Sequence, residues 1–233
     1  MDVLPNAETA ENPSSGPAPT AFPEAKSSKT GVSVGYVHDE SGQKQWHVFR
    51  ASYGRAGKAA DYLIGEGVYV YVPKQEKDVV VKKRVRTVLV DLLPNFLFAY
   101  ITEKDARRLV KGCPDPDVVS NPAESFQMAE ILSFYYNHCK VDDFGKNPPL
   151  TISDQQMESF IIATRTHDEN LLLLNGRSYT FKSQDEVQVV AGKFKGVRGK
   201  VIRAKRQQRI LIELTDFLSF ATAYVPSDFI VKL

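Results

Sequence analysis

Val187-Gln188-Val189-Val190-Ala191-Gly192-Lys193-Phe194-Lys195-Gly196-Val197-Arg198-Gly199-Lys200-Val201 is the stretch on which the fold reading turns. A β-branched run enters a connection punctuated by three glycines, and a second apolar run leaves it. Glycine reaches tight-turn conformations that other residues resist, so Gly192, Gly196 and Gly199 are read as turn positions. Phe194 is the one aromatic in the connection and is placed to plug the end of a small core, with Lys193, Lys195 and Arg198 pointing outward. Beyond it come Lys200–Arg203, Ile210–Leu214, Phe220–Val225 and Phe229–Val231. Five short apolar runs within residues 185–233 predict a small all-β barrel.

Upstream the pattern changes. Order is expected to begin at Trp46, with His47–Ala51 a short strand, and Gly54 and Gly57 mark a turn. Ala56, Ala59, Ala60, Leu63 and Ile64 then share one face of a helix. Val68–Val72 reads as a strand closed by Pro73, and Val85–Leu93 and Phe96–Ile101 as two more, joined at Pro94-Asn95. Thr102 is placed to cap a short helix whose Ala106, Leu109 and Val110 face inward. Residues 112–124 read as loop, and Ile131–Tyr136 as strand rather than helix. Ser153 and Gln156 form a capping-box pair ahead of Met157, Phe160 and Ile161, a helix ending near Thr166. Residues 45–166 are therefore expected to form an α+β domain, and 167–184 a linker, although Leu171–Leu174 is too apolar to be fully exposed.

Residues 1–44 hold five prolines among small and polar residues, too little apolar surface to offset ordering entropy, and are expected to be a disordered tail. Gly31–His38 alternates weakly and is the one stretch of it that could pair as an edge strand.

The 233 residues carry 30 Lys+Arg and 28 Asp+Glu, a net charge of +2. Charge is unevenly spread: residues 193–209 contain eight bases and no acid. No apolar run approaches the ~18 residues of a membrane span, and the N-terminus lacks the features of a secretory signal. Cys113 and Cys139 are the only cysteines, as suits a reducing compartment, so a cytoplasmic location is expected. The histidines (His38, His47, His138, His167) are scattered without metal-ligand spacing, so neither metal nor cofactor is expected. Gly192 to Gly199 has six intervening residues where a phosphate loop needs four, and no nucleophile-elbow or zinc-protease motif occurs. Enzymatic activity is not expected.

The Gly192–Val201 segment resembles a KOW motif, found in SH3-like barrels of ribosomal proteins and transcription elongation factors. Trp46-His47-Val48-Phe49 followed by Gly54 and a helix resembles the opening of the NusG N-terminal (NGN) domain. Leu93-Pro94-Asn95-Phe96-Leu97-Phe98 is similar to that family's aromatic-Pro-Gly-Tyr-x-Phe segment, and Ile152-Ser153-Asp154 to the start of its last helix. The order over residues 46–233 thus resembles a NusG-like factor, an α+β NGN domain followed by a KOW barrel. Ala56, Asn95 and Phe96 depart from the commoner Glu, Gly and Tyr, as suits a specialised paralogue. The proline-rich tail and Ala223-Tyr224-Val225-Pro226 resemble UpxY-type antiterminators of capsular polysaccharide operons.

The resemblance implies a transcription elongation and antitermination factor that binds the clamp helices of the RNA polymerase largest subunit. Leu93, Phe96, Phe98 and Tyr100 would form the contact, with Leu97, Ala99 and Ile101 on the other face of the strand. Burial of both faces inside the domain is the alternative for Phe98 and Tyr100. Lys82, Lys83, Arg84 and Arg86 are candidates for contact with non-template DNA, or a solvated loop. Lys193, Phe194, Lys195 and Arg198 are candidates for docking a ribosomal protein or termination factor, or for nascent RNA. The competing reading is a KOW-type RNA-binding protein of ribosome assembly.

Overall fold

The computed structural model describes residue 39 and residues 41–112, 122–174, 180–215 and 218–233. Most of the expected tail, including Gly31–His38, lies outside the described residues. Asp39, however, accepts backbone N–H groups of Ser41, Gln43 and Lys44, so the chain is fixed some residues earlier than expected.

The first unit is built on β1 (Lys44–Ala51), flanked by β5 (Phe96–Thr102) on one side and β6 (Leu132–Phe134) and β7 (Thr151–Ile152) on the other. The outer strand beside β5 is β2 (Tyr69–Tyr71), and every pairing is antiparallel. Register puts Trp46 opposite Tyr100 and Val48 opposite Phe98, so these four share a face. Phe49, Ala51, Leu97, Ala99 and Ile101 occupy the other. A strand buried on both faces reads as a nearly unbroken apolar run, and Phe96–Ile101 does.

The Phe49 face is covered by α1 (Ala56–Gly65), α2 (Glu103–Lys111) and α3 (Pro122–Ile131). Ala56, Ala59 and Ala60 are each buried, and their small side chains let α1 lie close to the sheet. Thr102 caps α2 as expected, its hydroxyl accepting the Asp105 N–H. Residues 113–121 are outside the described set. Pro122 already starts α3, so the expected loop is shorter, and the expected strand at Ile131–Tyr136 contracts to Leu132–Phe134. Proline suits the first helical turn, where its missing N–H has no partner to lose.

The Trp46 face is covered by α4 (Asp154–Arg165), which opens with the capping box between Ser153 and Gln156. Phe160 sits edge-on to Phe98 at 5.4 Å and to Tyr71 at 6.1 Å. Its far side meets Phe220 at 5.6 Å, in the C-terminal unit. That unit is a six-stranded antiparallel sheet, in the order β13 (Ile230–Lys232), β9 (Thr180–Val189), β10 (Arg198–Ala204), β11 (Gln207–Leu214), β12 (Leu218–Ala221), β8 (Leu172–Leu174).

One expectation changes here. Leu172–Leu174 and residues from Thr180 are strands of the C-terminal sheet rather than linker, because the apolar run pairs with β12 instead of facing water. The two units also share one core: Trp46, Phe98 and Phe160 belong to the same buried cluster as Val189, Ile210 and Phe220.

The remaining pair, β3 (Lys74–Val81) and β4 (Arg84–Asp91), forms a separate two-stranded ribbon. The charged run Lys74–Asp78 carries no strand period and is extended only because β4 lies beside it.

Candidate functional site

Leu93, Phe96, Phe98 and Tyr100 come together on the Trp46 face, but unequally placed. Phe98 is fully buried and Tyr100 nearly so. Phe98 is covered by Phe160, and the Tyr100 hydroxyl accepts the Asp39 N–H at 3.0 Å. Where the resemblance implies a partner's helix, the chain's own α4 lies over Phe98. Leu93 is buried at the turn between β4 and β5, while Phe96 is half-buried at the end of β5.

The turn is held by Asn95, whose φ is +69°. Asparagine tolerates the left-handed region better than most residues, so it can hold this turn. Its carbonyl accepts the Ala51 N–H at 2.7 Å, and its Oδ1 accepts the Gly54 N–H at 2.9 Å. One side chain therefore ties the β4–β5 turn to the β1–α1 connection.

Around this turn the surface is aromatic. Phe96 meets Tyr135 edge-on at 5.7 Å, and Tyr135 meets the exposed His138 at 5.5 Å. Tyr53 is 87% exposed, with the Arg55 guanidinium 5.6 Å from its ring. Tyr53 and Tyr135 were not singled out from the sequence. Tyr135 meets Phe96 from 39 residues away along the chain, and no local pattern announces such a meeting.

Lys82, Lys83, Arg84 and Arg86 sit at the tip of the β3–β4 ribbon, all exposed. Val81 pairs with Arg84, so Lys82 and Lys83 form a two-residue turn with φ of +50° and +63°. Such a turn favours Asn-Gly, and two lysines there carry a conformational cost. Coulomb repulsion between adjacent ammonium groups adds to it. Val80 and Val85 pair on one face of the ribbon and are 74% and 65% exposed. The tip thus presents cations beside an apolar strip.

The Gly192–Val197 connection faces α4. Gly192 and Gly196 have φ of +77° and +97°, as the turn reading requires. Phe194 is buried, consistent with a plug, and Lys193 lies over its ring at 5.3 Å while pairing with Asp168. Burial raises the Asp168 pKa, but the Lys193 ammonium and the Asn170 N–H outweigh it and leave the carboxyl below its ordinary value. Lys195 and Arg198 are exposed, although the Arg198 backbone N–H donates to Ser159 Oγ of α4 at 3.0 Å. Of the four residues proposed for this surface, two are engaged inside the molecule.

No protein-family model matches the chain, and no curated protein matches it in sequence. Among the described residues, no three His, Cys, Asp or Glu side chains are grouped to hold a metal ion, and no helix is long and apolar enough to cross a membrane. His47 is buried in β1 with neither ring nitrogen hydrogen-bonded. Burial pushes its pKa down to about 4, so it packs as a neutral ring.

Proposed function

We propose that the chain is a NusG-like transcription elongation and antitermination factor, a specialised paralogue of the UpxY type acting at capsular polysaccharide operons. The observation that carries this reading is the pairing of a half-exposed aromatic turn with a projecting cationic ribbon. Phe96, supported by Tyr135 and fixed by Asn95, supplies an apolar anchor of the kind that dominates protein interfaces. The Lys82–Arg86 tip supplies charge that can follow a phosphate backbone.

In this mechanism the factor makes and breaks no bonds. Phe96, with Tyr135 beside it, docks against the clamp helices of the polymerase largest subunit, while the buried Leu93 supports the turn from beneath. Phe98 and Tyr100 position the strand from beneath rather than touching the partner, because both are buried, Phe98 under Phe160 of α4 and Tyr100 bonded to the Asp39 N–H. The ribbon reaches toward the displaced non-template strand. Holding two parts of the enzyme at once favours the closed, elongating state, and differential binding of about 3 kcal/mol shifts a two-state population by roughly a hundredfold. The C-terminal sheet offers Lys195 and Arg198 to a ribosomal protein or termination factor.

The competing RNA-binding reading of the Gly192–Val197 connection finds less support. Base stacking needs an exposed aromatic, and Phe194 is 3% exposed.

A single-round transcription assay on a template with a defined pause tests the proposal. Stoichiometric wild-type protein is expected to shorten pause lifetime severalfold, and Phe96→Asp protein to leave it unchanged. Unchanged pausing and termination with wild-type protein would contradict the reading.

A further inference from the structure

The hairpin joining β10 to β11 repeats the unusual turn of the β3–β4 ribbon. Ala204 pairs with Gln207, so Lys205 and Arg206 are its two central residues, with φ of +49° and +61°. Two adjacent cations again occupy positions that favour Asn-Gly, at a conformational cost that packing does not explain, since both are exposed. Among the described residues, neither of them nor the exposed Arg203 forms an ion pair.

Beside the turn lies a cleft of about 390 Å3, lined by Arg203, Arg206, Gln207, Gln208, Tyr224 and Ser227. No acid lines it. Tyr224 is 55% exposed, a large ring displayed next to two guanidinium groups. The cleft floor is built rather than loose. The Gln208 amide donates to Val225 O at 3.1 Å and to Ser227 Oγ at 3.2 Å, and the Val225 N–H returns a bond to Gln208 O at 3.1 Å. These bonds fix the segment that carries Tyr224 against β11.

The site is distinct from the Gly192–Val197 connection. That connection enters β10 at Arg198, and the Lys205-Arg206 turn leaves it at Ala204, roughly 20 Å away at the rise of an extended strand.

We infer that this end of the C-terminal sheet binds single-stranded nucleic acid. Arg203 and Arg206 hold phosphates, with Lys205 adding charge at the rim, and a base stacks on Tyr224. Guanidinium groups match phosphate geometry, and base–aromatic stacking tolerates any base, so the surface follows a strand without reading its sequence. A duplex does not present an unstacked base to Tyr224. The inference is independent of polymerase binding and of the β3–β4 ribbon.

The test is fluorescence anisotropy on the full chain, with labelled dodecamers of uridylate and of thymidylate and a 12-base-pair duplex, at two salt concentrations. Expected is salt-sensitive binding of a single strand, tighter than of the duplex. Tighter binding of uridylate would point to a transcript, and of thymidylate to a displaced DNA strand; either supports the site. Arg203→Ala/Arg206→Ala should weaken binding at least tenfold and flatten the logarithmic salt slope by roughly 1 to 1.5. Tyr224→Ala should weaken it about tenfold, and Tyr224→Phe should retain it, since stacking does not need the hydroxyl. All three side chains changed at the site are exposed, and circular dichroism checks the fold. The inference is overturned if wild-type protein binds neither single strand at low salt or binds the duplex equally well. It is equally overturned if the arginine and tyrosine variants bind as wild type while Lys82→Ala/Lys83→Ala abolishes binding.

Discussion

Gly199 lies in strand β10 without a left-handed backbone, unlike Gly192 and Gly196. A Cβ there would stand 2.0 Å from the Leu211 carbonyl oxygen and 2.9 Å from Ile210 Cγ2. The obstruction is backbone, so it cannot swing aside. Gly199→Ala is expected to lose about 3 kcal/mol or more, measurable by urea unfolding. The sequence marked this glycine correctly but for the wrong reason: close approach of a neighbouring strand leaves no local trace, whereas a turn does. His47 shows the same limit. Its chain neighbours are apolar, but that both ring nitrogens go unpartnered depends on residues far away. Its folded pKa of about 4 lies below the ordinary 6.5, so its contribution to stability is complete above pH 6.5 and is lost as pH falls toward 4. The loss is on the order of 3 kcal/mol. Urea midpoints at pH 7 and pH 4.5 should fall apart for wild type and draw together for His47→Leu. Asp39, held down to about 2 mainly by the Lys44 N–H and the Ser41 hydroxyl, titrates below that window.

Among the elements, those that announce themselves locally were legible. The Ser153 capping box, the Thr102 cap and the alanine face of α1 each lie within a few residues of sequence, and each is present. The β3 strand was not, because Lys74–Asp78 has no period and depends on β4 for its hydrogen bonds. Nor was β8, whose three leucines needed β12 before they could be told from a linker. The ribbon tip yields a prediction of opposite signs. Replacing Lys82-Lys83 by Asn-Gly relieves two unfavourable left-handed residues and one repulsion, and should stabilise the protein by about 1 kcal/mol. The same Lys82→Asn/Lys83→Gly change should weaken affinity for DNA, because it removes two cations. Thermal melting and a DNA-binding titration on one preparation read both. A gain in stability with unchanged DNA affinity would assign the lysines no DNA role.

At the scale of the whole molecule, the sequence suggested two units joined by a linker, and the structure has two sheets sharing one core through α4. Phe160 is the reason: it touches Tyr71, Phe98 and Phe220 at once, and no pattern within α4 shows that both its sides are covered. Of the candidate surface, the turn at Leu93–Phe96 was legible as a motif. The covering of Phe98 was not, because it comes from a helix more than 50 residues later, nor was the bond from the Asp39 N–H to the Tyr100 hydroxyl, 61 residues away. What this leaves for a partner is an aromatic edge, Phe96 with Tyr135, rather than a whole sheet face. The most direct measurement is equilibrium binding of wild-type and Phe96→Asp protein to purified bacterial core RNA polymerase, with circular dichroism as the folding control. Binding by wild type and its loss of at least tenfold in a folded Phe96→Asp variant is the predicted result. Equal binding by the two proteins, or none by wild type, would contradict it.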